Sequence, residues 1–197
     1  MTKTRLEAFS DGVLAIILTI MVLELQLPKS ASLDSLAPLL PLLAAYLLSF
    51  VFIGIYWTNH HHMFQVVKKV NGAVLWANLH LLFWLSLVPF ATGWIAEQGC
   101  QRLPVVFYGV LLLGAAIAYF ILVRTLFAVE GPKSALAQAL GSDFKGKISV
   151  VIYAVAIGMA WVQPWVSYGC YVAVALMWLV PDRRIERHLG KGGPRGD

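Results

Sequence analysis

Few residues in this sequence can do chemistry, and the ones near its start stand out. Arg5, Glu7, Ser10 and Asp11 flank one end of the uncharged run 12–23, and Glu24 and Gln26 close the other. An ionisable group at the edge of so apolar a stretch is expensive to hold against lipid, so it marks a functional position that needs a partner. The chemistry open to it is a charge-neutralised polar tie or the movement of an ion or proton. At ~100° per residue, Phe9, Gly12, Ile16, Thr19, Ile20, Leu23 and Leu27 form one stripe of a helix. Asp11 falls nearly opposite, with Leu14, Leu18, Val22 and Leu25. The spacing predicts a helix over residues 7–27 that offers small and branched residues on one face. On the other it sends the Asp11 carboxylate into the protein.

A second group of polar residues lies further along, at depths that match. A helix over 36–60 ends in Asn59-His60-His61-His62, and a helix over 73–96 carries Asn78 and His80. If helices one and three rise from the same side, Asp11 sits about 9 Å above Arg5, and Asn78 and His80 roughly 9 to 12 Å above Gly72. Arg5, Ser10, Asp11, Asn59, Asn78 and His80 can thus meet in one polar layer. A buried carboxylate held there by Arg5 and neutral donors avoids standing as an unpaired charge. Which histidine takes part is open, and the layer reads either as a structural tie or as a gating or proton-sensing device.

Other chemistry fits less well. Three consecutive helical histidines point about 100° apart and do not converge on one ion, so no metal site is expected. Cys100 and Cys170 are two cysteines without a framework spacing. Ser10 and Asp11 beside a histidine superficially offer a nucleophile, but no Gly-rich nucleophile turn accompanies them, so the chain does not read as an enzyme.

The elements that must position these residues follow from composition. Hydrophobic residues make up 59% of the 197 and charged ones 13%, and the mean hydropathy is +0.75. That places the chain among membrane proteins. The seven Trp and seven Tyr suit two interfacial belts. Besides 7–27, 36–60 and 73–96, helices are expected over 104–127, 148–162 and 165–180, each able to span or nearly span a ~30 Å apolar core. Pro89 predicts a kink in the third. The last two, joined at Gln163-Pro164, read as a tight hairpin, and Pro181 closes the sixth helix. Residues 134–140 are expected to form a short amphipathic helix, and residues 190–197 a disordered tail. With the N-terminus inside, the outer loops hold only Lys29 and Arg102, and every other Lys and Arg falls on the cytoplasmic side. Such asymmetry predicts an all-α polytopic membrane protein of six transmembrane helices with both termini cytoplasmic. The net charge of +5 is thereby explained by topology, and no nucleic-acid partner is expected.

Arg5-x-x-x-Phe9-Ser10-Asp11 at the head of a first membrane helix resembles the signature of the transmembrane protein 175 family, and Gly12-Val13-Leu14-Ala15-Ile16 and Val22-Leu23-Glu24-Leu25 continue the likeness. The motif occurs once, so the chain is similar to the bacterial single-unit forms. The resemblance implies a potassium-selective channel, a homotetramer in the inner (plasma) membrane, with K+ as permeant ion and no cofactor. It implies a pore lined by the first helix of each subunit, with Ile16, Thr19 or Ile20, and Leu23 at constriction positions and Leu27 beyond them. It also implies a polar network around Arg5, Phe9, Ser10 and Asp11. Glu24 and Gln26 would concentrate cations at the outer mouth. No Thr-Val-Gly-Tyr-Gly filter occurs, so side chains would have to select. The competing reading is a proton- or ion-coupled secondary transporter with Asp11 and His80 as its relay. Such carriers often break helices at the midplane, and this first helix contains no proline.

Overall fold

A computed structural model describes residues 2–131, 134, 136 and 144–179. Among these, all regular structure is helical. The long helices are α1 (Lys3–Leu23), α2 (Leu40–Val66), α3 (Gly72–Ser86), α4 (Val88–Gln98), α5 (Arg102–Glu130), α6 (Phe144–Met159) and α7 (Pro164–Leu179), with two 3-10 turns before α2. Lys3–Leu23, Leu33–Val66, Gly72–Gln98 and Arg102–Glu130 are each long and apolar enough to cross a membrane, and α7 is a shorter apolar helix. With α3 and α4 taken as one broken unit, the described residues form six helical units, four of them long and apolar enough to cross a membrane.

Several boundaries differ from the expected ones for local reasons. Helix α1 stops at Leu23, not at residue 27: Leu25 N–H reaches back three residues to the Val22 carbonyl, and Pro28 forces the residue before it towards an extended backbone. Leu27 is therefore off the helix. Helix α2 runs on past His60 to Val66 because Met63 and Phe64 continue its buried face. The third pass is broken at Leu87, two residues before Pro89. Proline lacks an N–H and its ring crowds the carbonyl four residues back, so Pro89 is accommodated in the first turn of α4. Residues 135 and 137–140 of the expected amphipathic helix, residue 180 of the expected sixth helix, Pro181 and the 190–197 tail lie outside the described residues.

Packing is built on α5, which lies against α3 and α6, while α1 packs on α2, α3 and α4. Two glycines permit the closest approaches. The space a Cβ would take at Gly114 is filled by the Trp84 ring, and at Gly109 by the Tyr171 side chain. Several deep polar atoms are paired: Ser49 Oγ lies 2.7 Å from Thr92 Oγ1 and 2.9 Å from Tyr108 Oη, and Tyr171 Oη donates to the Val105 carbonyl at 3.1 Å; the buried Ser167 hydroxyl has no partner among the described residues. Glu130 Oε1 accepts the backbone N–H groups of Lys68 and Lys69 at 2.8 and 2.6 Å. That tie holds the α2–α3 connection and the end of α5 at one end of the bundle. Cys100 and Cys170 are both free thiols.

Candidate functional site

Helix α1 has two faces, and the structure assigns them clearly. Leu6, Ser10, Leu14, Ile17 and Met21 are buried, a spacing of four, four, three and four residues that keeps them on one side. Facing away are Phe9, Ile16 at 61% exposure, Ile20 at 42% and Leu23 at 78%, with Leu27 beyond the helix end. Thr19 shares this exposed side, and its hydroxyl donates to the Ala15 carbonyl at 2.9 Å. A helical threonine commonly does this, and the bond uses the proton while leaving oxygen lone pairs available.

The residue turned into the protein is Ser10, not Asp11. Ser10 is wholly buried; its Oγ donates to the Leu6 carbonyl and accepts from Asn78 Nδ2, both at 2.9 Å. Asn78 Oδ1 then lies 2.9 Å from His60 Nε2. The directions along this chain are fixed. Ser10 has given its proton to Leu6, so Asn78 must present its amide N–H to Ser10 and its oxygen to His60, and His60 must carry a proton on Nε2. The His60 ring is seated against Phe64, with centroids 4.5 Å apart. One buried polar chain thus joins α1, α3 and α2.

Asp11 occupies the next helical position, about 100° round, and is exposed in the single subunit. Its Oδ1 accepts from the Trp57 indole N–H at 3.0 Å, and Trp57 is stacked on His61. Asp11, Leu14, Trp57, His62 and Lys145 border a cavity of about 680 Å³ between α1, α2 and the α6–α7 hairpin. The remaining expected members stand apart from the buried chain. Arg5 is exposed and Phe9 is half exposed. Asn59 Nδ2 donates to the Ile55 carbonyl of its own helix. His80 is exposed and accepts from Trp84, so Asp11 and His80, the two ends of the relay considered above, are each engaged by a different indole. His60 and Trp57 were not singled out as network members. A signal for His60 exists in α2, where Phe52, Ile53, Met63 and Phe64 are buried with it at helical spacings of three, four, seven and eight. The three histidines disperse, His60 inward, His61 to Gln65 Nε2 at 2.9 Å, and His62 to the cavity.

At the other end of α1, Glu24 and Gln26 border a cavity of about 890 Å³ with Glu97 and Gln98 of α4. Burial pushes the Glu24 carboxyl above its ordinary range, and the nearby charge of Glu97 adds to the effect.

This arrangement, a first helix packed through Leu6, Ser10, Leu14 and Ile17 and bare along Ile16 and Leu23, has relatives. The family model described as "Endosomal/lysosomal potassium channel TMEM175" matches residues 5–89. A protein from Chryseobacterium sp. (strain P1-3), named as a potassium channel, is 56% identical over 189 residues, covering 96% of this chain and 98% of that one. Another so named, from Streptomyces collinus, is 30% identical over 184 residues, covering 87% and 89%. Among solved structures, the crystal structure of a lysosomal potassium-selective channel TMEM175 homolog from Chamaesiphon minutus superposes with a TM-score of 0.76 at 30% identity, over 92% of this chain and 97% of that one. On these matches the chain belongs to the TMEM175 family.

Proposed function

We propose that this protein is a potassium channel, a homotetramer in the inner membrane with the first helix of each subunit lining the pore. One observation carries the reading. The stripe Ile16, Thr19, Ile20 and Leu23 stays exposed on a helix whose opposite face is packed. A single helix cannot enclose a conduit, whereas four copies around an axis would turn each of these positions into a ring. Potassium as the permeant ion rests on the names of the relatives.

In this reading the rings do the selecting. Ile16, Ile20 and Leu23 make apolar collars that admit an ion only as it sheds water. Potassium holds its hydration less tightly than sodium, so collars favour it. The Thr19 oxygens, whose protons go to Ala15, turn lone pairs towards the axis and replace part of the lost hydration. Glu24 and Gln26 raise the cation concentration at the outer mouth. The Ser10–Asn78–His60 chain sets the rotation of α1 about its own axis, and with it which residues face the pore.

Both termini are placed in the cytoplasm on the distribution of Lys and Arg. The tie from Glu130 to Lys68 and Lys69 supports it by keeping two basic connections at one end. The test is flux from purified protein in liposomes. A channel passes potassium down its gradient at rates no carrier reaches and discriminates against sodium. Exchange without net current would favour the coupled carrier.

A further inference from the structure

A crevice of about 290 Å³ opens between α2, α5, α6 and α7, apart from the pore face of α1. Its walls are apolar and aromatic, among them Phe52, Tyr56, Ala116, Phe120, Tyr153 and Trp178. Two of the polar side chains along it bond within the protein. Ser149 Oγ donates to the Lys145 carbonyl at 2.7 Å and accepts from Trp178 Nε1 at 2.9 Å, and Asn59 Nδ2 donates to Ile55. The rest of the wall is largely apolar, with Lys147 on it and Arg124 beside one of its rings. Lys147 lines the crevice and is exposed. Arg124, also exposed, lies over the Phe120 ring, itself a wall residue, at 5.9 Å.

We propose that this crevice binds one acyl chain of an anionic phospholipid, with the head group held between Arg124 and Lys147. The inference rests on the chain being a membrane protein. In that setting the medium at the mouth is lipid, and the narrow apolar slot suits an alkyl chain. Zwitterionic head groups gain less from the cations, whereas a net negative one is drawn to both. Arg124 lies about 9 Å from Glu130 along α5, near the end that the Glu130 tie defines, so the cations sit where a head group would be. Helix α2 has Phe52 and Tyr56 on the crevice and Trp57 and His60 against the α1 network. A lipid seated there therefore braces the helix that orients the first one.

The test uses the full chain in phosphatidylcholine vesicles carrying a minor share of phosphatidylglycerol brominated on its acyl chains. The readout is the part of the tryptophan quenching that Trp178→Phe removes. Brominated phosphatidylglycerol should quench Trp178 more than brominated phosphatidylcholine at equal content. Lys147→Gln and Arg124→Gln should each cut that preference on the order of fivefold, while Lys147→Arg and Arg124→Lys keep it. Ala116→Phe, which fills the slot, should abolish it. If Ala116→Phe fails to fold, the two surface charge variants still decide. Equal quenching by the two lipids would overturn the proposal, as would a preference that survives both Gln substitutions. Quenching by brominated stearate with phosphatidylglycerol silent would reassign the occupant and overturn it too. Lipid binding as expected in a protein that conducts nothing would leave this inference standing and sink the channel reading alone.

Discussion

Asn78 donates to the fully buried hydroxyl of Ser10 across 2.9 Å, and through it α3 sets the orientation of α1. Each side-chain donor in this chain has one acceptor, so removing a member strands the next. Ser10→Ala leaves the Asn78 amide buried without its acceptor and should destabilise the subunit by roughly 1–3 kcal/mol. Asn78→Leu breaks both links at once. Thermal melting of the purified variants, combined as a double-mutant cycle, should give coupling between positions 10 and 78. Additive losses would mean that the bond contributes nothing.

Asp11 is held differently, on the outside of the subunit. Its one described bond, from Trp57 Nε1, is exposed, and solvent screening weakens it. Asp11→Ala should therefore lower the melting temperature of the folded subunit less than Ser10→Ala in the same detergent. A larger loss from Asp11→Ala would show that the carboxylate, not the hydroxyl, anchors the helix.

Glu24 gives the outer mouth a pH dependence whose sign follows from its environment. Burial first, and then Glu97, raises its pKa, so it takes up a proton at higher pH than a free carboxylate does. Potassium current should fall on acidification before the ordinary carboxylate range is reached. Glu24→Gln should remove that step and lower the current at neutral pH, more so at low salt. The folded state favours the protonated form, so this group's contribution to stability is present at low pH and lost as pH rises through the raised value. Glu24→Gln should flatten that slope. A current profile unchanged in Glu24→Gln would place the carboxylate off the ion path.

Topology can be read by labelling. With Cys100 and Cys170 replaced, a cysteine at Lys69 should react with impermeant reagents only from the cytoplasmic side, and one at Lys29 only from outside. The reverse pattern would invert the orientation.

What the sequence made legible, and what it hid, has a common physical cause. The helices and the break ahead of Pro89 were readable because they depend on apolar length and on a missing N–H. Rotation about the helix axis was harder. Leu14, Ile16, Ile17 and Leu18 are all apolar, and a helix with lipid or protein on every side shows little contrast between faces. The stripe through Ile16 and Leu23 was nonetheless legible from spacing at ~100° per residue, and the structure leaves it exposed while Ser10 is the one buried polar residue of α1. The choice between adjacent Ser10 and Asp11 was missed by one position, since a carboxylate looked the more demanding group to satisfy. His60 and His80 illustrate the same limit: depth along a helix follows from counting residues, but azimuth follows from packing. His60 falls on the buried face of α2, and His80 on the exposed side of α3 beside Trp84.

The most direct test of a pore lined by α1 is single-channel recording with cysteines placed along that helix in a background without Cys100 and Cys170. Ile16→Cys and Leu23→Cys should lose their potassium current to a small positively charged thiol reagent, while Leu14→Cys and Ile17→Cys, on the packed face, should keep it. Unaffected current at positions 16 and 23, or equal block at 17, would contradict a conduit formed by the exposed stripe of the first helix.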